Sequence, residues 1–264
     1  MPRVDIPDEK WFEMNLFPEQ GDEPLGFALP TLPPDEVQRN FTGKAGRDNL
    51  QQAFSFYKFI RENFLSASSP LVMDFGAGWG RIARFFLRDT IPQNLFAVDP
   101  LSQAVEWMHA TKLPCRIIRS SPLPPIPGLN GAKFDLIYAF SVFSHLSEKY
   151  FLAWLDHLLS LLKDDGVMVF TTRGTSFLDY IERDAIKKEV FGDYSALRRR
   201  YQRGDFLFFR DRDDSQELSG GFFGEAFIPK QYLLRKLGPG LQEFNEAVPD
   251  VHQAVVVLRR TKPG

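Results

Sequence analysis

The stretch LVMDFGAGWGRIARFF, Leu71 to Phe86, constrains this chain more than any other. Three apolar residues lead into a carboxylate, Asp74. Gly76, Gly78 and Gly80 then alternate ahead of a run with helical spacing, which predicts strand, tight turn and a helix over Gly80 to Arg88. Glycine tolerates φ > 0 and lets a ligand approach the backbone with no β-carbon in the way, and a helix start presents unpaired N–H groups. The turn is therefore expected to hold something small and nucleotide-like. A dinucleotide turn reads G-x-G-x-x-G. Here the third glycine comes one place early, and Arg81 stands where that pattern has glycine. Asp74 would repel a pyrophosphate and attract an ammonium or sulfonium group, so a ligand with a cationic end is favoured.

The pattern DFGAGWGR resembles motif I, D/E-x-G-x-G-x-G, of the class I S-adenosylmethionine-dependent methyltransferases. That resemblance implies a cofactor bed at Asp74, Gly76, Ala77 and Gly78, with Asp74 facing the ammonium end. In NLFAVDP, Asp99 follows Asp74 by 25 residues, close to one strand–helix–strand unit. An acid at the tip of the neighbouring strand can accept hydrogen bonds from two ribose hydroxyls. The match to motif II implies that role for Asp99, with Pro100 beside it; capping the helix SQAVEWMHA is the alternative, although Ser102 could cap equally well. The third strand, Cys115 to Ile118, ends in RSSPLPPIPG. Family members frequently carry an aspartate there that binds the adenine amino group. Ser120 and Ser121 occupy that neighbourhood here, so a hydroxyl or a backbone carbonyl would have to substitute.

FDLIYAF, Phe134 to Phe140, reads as the fourth strand, and a helix capped at Ser147 and stopped by Asp165 and Gly166 leads to a fifth in GVMVFTTRG. This order resembles motifs IV to VI of the small-molecule branch and carries the likeness from about residue 70 to 172. By analogy Phe140 and Ser141 border the reacting methyl. His145 is the one histidine near that strand end, a candidate general base, although a histidine at a helix start is commonly structural. LQEFNEAVPDVHQAVVVLRR reads as a closing hairpin. The implied fold is α/β: a Rossmann-like three-layer sandwich around a seven-stranded, mostly parallel sheet with one antiparallel strand.

Residues 1 to 47, rich in proline and acid, are expected to form an irregular arm, in which Thr42, Gly43 and Lys44 are either cofactor contacts or an ordinary turn. The methyltransferase domain is expected over 48 to 264, opening with a helix over Asp48 to Phe64 capped by Asp48. Residues 174 to 224 interrupt the strand–helix alternation and are expected to be an inserted lid. Its Phe206, Phe208, Phe209, Phe222 and Phe223 suggest an apolar substrate or simple packing. Its basic run Arg198, Arg199, Arg200 and Arg203 reads as a solvated face.

A net charge of −2 supplies no global pull toward nucleic acid or anionic lipid. The single cysteine, Cys115, excludes an internal disulfide and reads as core filler. No metal-ligand spacing, signal-type segment or run of about 20 apolar residues stands out. The expectation is a cytoplasmic protein that uses S-adenosylmethionine on a small-molecule or carrier-bound acceptor, without nucleic-acid or membrane partners, its oligomeric state left open. A nicotinamide-dependent oxidoreductase and a catalytically idle cofactor-binding or interaction protein are the alternatives. Phenylalanine, at 26 residues, calls for either an aromatic lining or an aromatic core.

Overall fold

Strand β1, Val72–Phe75, is buried at every residue, as a strand covered on both faces must be. The computed structural model, which describes residues 5–19, 25–65, 67–184, 191–210 and 222–260, pairs it in parallel with β2, Leu95–Asp99, and with β4, Phe134–Ala139. Edge strand β3, Arg116–Arg119, runs parallel to β2. With β5 (Leu162–Thr172), β8 (Leu241–Asn245) and β9 (Ala254–Arg259) the sheet has seven strands in the order β3-β2-β1-β4-β5-β9-β8. Strand β9 is antiparallel to both β5 and β8, so a single strand runs against the rest, as expected. A separate two-stranded sheet joins β6, Leu207–Arg210, to β7, Gly224–Phe227.

The chain divides into two compact units, Met1–Ser121 with Pro125–Tyr138, and Pro122–Pro124 with Ala139–Gly264. In the first, the arm departs from the sequence expectation, for it contains α1, Asp8–Leu16, and α2, Asp35–Thr42. Both start behind a proline with two acids in the first turn, which suits the positive end of a helix. Their apolar pattern is short, so tertiary contacts must hold them. Trp11, Phe12 and Leu16 bury the inner face of α1, at roughly 1.5–3 kcal/mol for each large side chain. Helix α3, Gly46–Phe64, begins two residues earlier than expected, with Ala45 at the cap and Asp48 inside the first turn. Thr42, Gly43 and Lys44 form the turn between α2 and α3: Gly43 is left-handed at φ 74°, and Thr42 Oγ1 donates toward Gln38 O.

A third departure follows the glycine turn. No α-helix starts at Gly80; the chain makes turns and then a 3₁₀ helix, Ala83–Arg88, whose six residues are all buried. The reason lies in what covers it. Arg84 donates to Asn15 Oδ1 (3.1 Å) and to the carbonyls of Pro30 and Thr31, and Arg88 donates to Tyr57 Oη (2.6 Å), Ile6 O (2.7 Å) and Asp8. Arg81 donates to Asn49 and Gln52 on α3. Buried arginines three and four residues apart thus tie the arm and α3 to this segment, and no side of it is left for water. Burial without a carboxylate partner pushes Arg84 down to about 9. Phe12, Phe54, Tyr57, Phe85, Phe86 and Tyr138 stack in a chain beneath, with centroids 4.8–6.5 Å apart. Much of the phenylalanine content is therefore core.

In the second unit α5, Glu148–Ser160, ends before Asp165 and Gly166, which lie within β5 rather than stopping the helix. The expected insertion, 174 to 224, contains α6 (Thr175–Arg183), α7 (Tyr194–Arg203) and β6 and ends at the first residue of β7; its residues 185–190 and 211–221 lie outside the described residues. Leu178, Ile181, Phe191, Leu197, Tyr201 and Leu207 form a core with Phe227 of β7, and Phe209 packs against it. Phe206 packs on Phe151 and Tyr232, and Phe222 stacks on Tyr150. These rings are packing rather than an open lining. Arg198 pairs with Asp179, and Arg200 and Arg203 with Asp205, on an exposed face. Helix α8, Lys230–Leu237, leads into the closing hairpin. Among the described residues no helix is long and apolar enough to cross a membrane.

Candidate functional site

The chain from Val72 to Thr90 is buried at every position except Gly76 and Gly78. These are the two points where the backbone of the first strand's exit is reachable. Gly76, Gly78 and Gly80 have φ of 77°, 57° and 84°, conformations that side chains resist. They do different work. A β-carbon on Gly78 would lie 3.4 Å from the Phe41 ring of α2, whereas one on Gly80 would lie 2.5 Å from Leu113 Cδ2. Gly80 is a packing glycine. Gly80→Ala is expected to lower unfolding free energy by roughly 1–3 kcal/mol through backbone strain and overpacking, as denaturant titration would read; a neutral result would show that Leu113 yields freely.

The N–H groups of Gly76, Ala77, Gly78 and Gly80 are occupied, contrary to the expectation of free donors at a helix start. Gly76 and Ala77 donate to Val98 O (2.8 and 3.1 Å), Gly78 to Asp99 Oδ2 (2.8 Å) and Gly80 to Ala77 O (2.9 Å). A phosphate cradle needs such donors unspent. Carboxyl groups and shape are what the turn offers.

Asp74 and Asp99 sit at the tips of β1 and β2, near enough for the charge of Asp99 to be felt at Asp74. Asp74 is 2% exposed, and its Oδ2 is a buried oxygen with no hydrogen-bond partner. Burial, with the charge of Asp99 adding to it, pushes its carboxyl up to about 7. Beside it the Tyr138 hydroxyl, in register on β4, is likewise buried and without hydrogen-bond geometry to any group. Asp99 is also displaced upward by burial, to about 6, while the N–H groups of Gly78 and Leu101 on its two oxygens oppose the rise. The Leu101 contact (2.9 Å) also orders the entry to α4, Ser102–Ala110, so Asp99 serves that helix start as well as the site.

Pro100 is half-buried, and its carbonyl accepts from Arg119. Ser120 is 7% exposed with a hydroxyl that has no partner, and its N–H donates to Asp99 O (3.1 Å); Ser121 is exposed. Thus Asp74, Gly76, Ala77, Gly78, Asp99 and Ser120 gather at one end of the sheet of the first unit, and Ser121 does not join their buried set. Cys115 precedes β3, and burial together with the Asp74 charge pushes its thiol up to about 12, which rules out a nucleophile.

Phe140, Ser141 and His145 belong to the second unit. Phe140 is buried. Ser141 is left-handed at φ 60°, a costly conformation for a side-chain-bearing residue. Its N–H donates to Thr171 Oγ1 (2.8 Å), and its own Oγ accepts from Gln253 Nε2 (3.1 Å). His145 lies in a 3₁₀ turn, Phe143–His145, with Nδ1 2.9 Å from Gly224 O and its ring stacked on Phe223 at 5.2 Å. A carbonyl only accepts, so Nδ1 carries the proton and Nε2 is the basic nitrogen of the neutral ring.

Gln253, Tyr138 and Phe41 escape sequence reasoning. Gln253 stands just before β9, whose first residue Ala254 pairs with Thr172 at the carboxyl end of β5; its Oε1 is buried without a partner, and left-handed Asp250 and His252 precede it. The left-handed conformations of two nearby non-glycine residues mark this loop, and they are invisible without dihedrals. Among the described residues no group of three or more His, Cys, Asp and Glu could hold a metal ion.

A family model described as a methyltransferase domain matches residues 46–214. No curated protein matches the chain in sequence. The fold is similar to that of DesVI from Streptomyces venezuelae (14% identity, 88% of this chain and 100% of that one, TM-score 0.55). It is also similar to magnesium protoporphyrin IX methyltransferase from Synechocystis PCC 6803 with bound SAH (12%, 86% and 94%, 0.54). A third similar structure is the glycopeptide N-methyltransferase MtfA complexed with S-adenosyl-L-homocysteine (10%, 78% and 89%, 0.51).

Proposed function

This chain belongs to the methyltransferase-domain family and is built on the class I S-adenosylmethionine-dependent methyltransferase fold, and from that premise we propose that it transfers the methyl group of S-adenosylmethionine to an oxygen or nitrogen nucleophile of a small-molecule or carrier-bound acceptor. One observation carries the cofactor reading: a buried, partnerless carboxyl oxygen on Asp74 stands beside Asp99 at neighbouring strand tips, next to the two reachable glycines. The residues fit the cofactor. Asp74 suits its ammonium end, Asp99 suits two ribose hydroxyls, and the partnerless Ser120 hydroxyl suits a polar edge of the base.

The cofactor supplies an activated methyl on sulfur. What remains for the protein is to align the groups and exclude water, since displacement at that methyl needs little side-chain chemistry. Phe140 and Ser141 would border the transfer. Should the acceptor need to lose a proton, His145 would take it at Nε2, its ring aimed by Gly224 and Phe223. Gln253 Oε1 would accept a hydrogen bond from the acceptor's N–H or O–H.

The segment Phe222 to Ile228, which ends the inserted lid and follows it, is held to the rest of its unit by several contacts. His145, Leu146 and Ser147 bind Gly224, Phe223 and Phe222, Arg173 pairs with Glu225, and Ile228 N–H donates to Thr172 Oγ1. The single cysteine suits a reducing compartment such as the cytoplasm.

Asp99→Ala is expected to weaken binding of S-adenosylhomocysteine by about 1–3 kcal/mol in calorimetry, since hydrogen bonds to a charged group are lost; unchanged affinity would remove Asp99 from the site. A catalytically idle cofactor-binding protein is the second reading, favoured by the uncharged Ser120 where an acid would grip the base. Formation of S-adenosylhomocysteine in the presence of candidate amine, phenol and carboxylate acceptors separates the two readings. The occupied turn N–H groups speak against a dinucleotide, and with it against the oxidoreductase.

A further inference from the structure

We propose that Asp74 is protonated in the ligand-free protein and gives up that proton as the cofactor binds, so that cofactor affinity is coupled to pH. The inference rests on the cofactor reading above and adds to it a change of ionisation at one atom. Its basis is the surroundings of the carboxyl. From β4 it faces Tyr138, a neutral phenol whose hydroxyl, outside hydrogen-bond geometry, is still close enough to oppose the rise of its titration in part; from β2 it faces Asp99, a negative group; from the segment before β3 it faces Cys115, whose thiol is protonated. From the turn it faces the Ala83 N–H and Arg81. Arg81 is the one cation of this group, and its Nη1 is committed to Asn49 O, Asn49 Oδ1 and Gln52 Oε1 at 2.9–3.0 Å, which holds its charge toward α3.

An ionised carboxylate with one oxygen buried and unpartnered is among the costliest groups a protein can hold, and it neutralises instead. The upward displacement of its titration to about 7 agrees with the geometry. A ligand ammonium arriving at Oδ2 reverses the balance. The O–H bond of the carboxyl breaks, its electron pair stays on the carboxylate, the proton leaves to solvent, and the ammonium keeps its own protons. Nothing is oxidised or reduced.

Calorimetric titration of the full chain with S-adenosylhomocysteine, in buffers of different ionisation enthalpy, tests this. Expected is the release of close to one proton at about pH 6, fading toward none at about pH 8, with Kd tightening roughly tenfold per pH unit up to about 7 and levelling above it. 5′-Methylthioadenosine, which lacks the ammonium, should bind without release. Asp74→Asn should abolish the release. Should that variant fold poorly, the wild-type infrared band of a protonated carboxylic acid, lost on adding S-adenosylhomocysteine, is the second readout. Binding that is pH-independent and proton-neutral overturns the inference and leaves the cofactor reading standing, as does equal release with 5′-methylthioadenosine. No binding of S-adenosylhomocysteine at any pH overturns both.

Discussion

Asp74→Asn is expected to stabilise the ligand-free protein at about pH 8 by roughly 2–4 kcal/mol while weakening S-adenosylhomocysteine at least tenfold. Below about pH 4 the carboxyl is protonated in both folded and unfolded chains and contributes no difference. As pH rises from 4 to 7 the unfolded chain ionises first, while the folded chain keeps its proton because Asp74 is displaced to about 7. The folded state then binds more protons, so stability falls with rising pH across that window. Above 7 the whole cost is present, and a neutral amide of the same shape removes it. The advantage of the variant should therefore grow between pH 4 and 7 and vanish in acid. Melting curves of both proteins across that range decide the matter; an Asn variant less stable than the parent at pH 8 would mean that the carboxylate is comfortable where it sits. Opposite signs on stability and binding mark a group kept for its ligand.

The second large effect belongs to Arg88. Its guanidinium is wholly buried, reaches Tyr57, Ile6 O and Asp8, and lies 5.3 Å from the Tyr57 ring centroid and 5.8 Å from that of Trp11. Arg88→Ala would remove a donor from the buried Tyr57 oxygen, from the Ile6 carbonyl and from Asp8, and would open a cavity between α1 and α3. A loss of about 3–5 kcal/mol in denaturant unfolding is expected. Arg39→Ala, which breaks an exposed i,i+4 pair with Asp35, should cost under about 0.5 kcal/mol. If the two variants unfolded alike, the clamp on the arm would carry no energy.

The arm shows why part of the fold escaped a reading of the chain. Helices α1 and α2 are nine and eight residues long, too short to show a periodic stripe among so many prolines and acids. Arg84 and Arg88, 69 to 82 residues on, hold α1 through Asn15, Asp8 and the Ile6 carbonyl just before it, and Gly46 and Asn49 of α3 hold α2 through Gln38 Oε1. A one-dimensional pattern carries no sign of such a contact. The same holds for the 3₁₀ segment at Ala83–Arg88, where apolar spacing predicted an ordinary helix; burial on every side chose the tighter winding. Asp165 with Gly166 makes a convincing helix stop by composition, yet the helix ends at Ser160 and both residues join β5.

The frame of the candidate site was legible. An apolar run, a carboxylate and alternating glycines can hardly build anything but a strand and a left-handed turn, because few other residues reach φ near +60 to +85°. The 25-residue step to Asp99 placed a second acid at the next strand tip, since one right-handed crossover has about that length. The sequence by itself thus determined the sheet, the turn and the two acids. Only the tertiary structure decided that the N–H groups of Gly76, Ala77, Gly78 and Gly80 are spent, that Asp74 Oδ2 lacks a hydrogen-bond partner, that Arg81 Nη1 is drawn toward α3, and that Phe222 to Gly224 are stitched to the loop bearing His145. Hydrogen-bond partners and desolvation depend on which groups packing brings together and how much water it removes, and neither quantity is written along the chain.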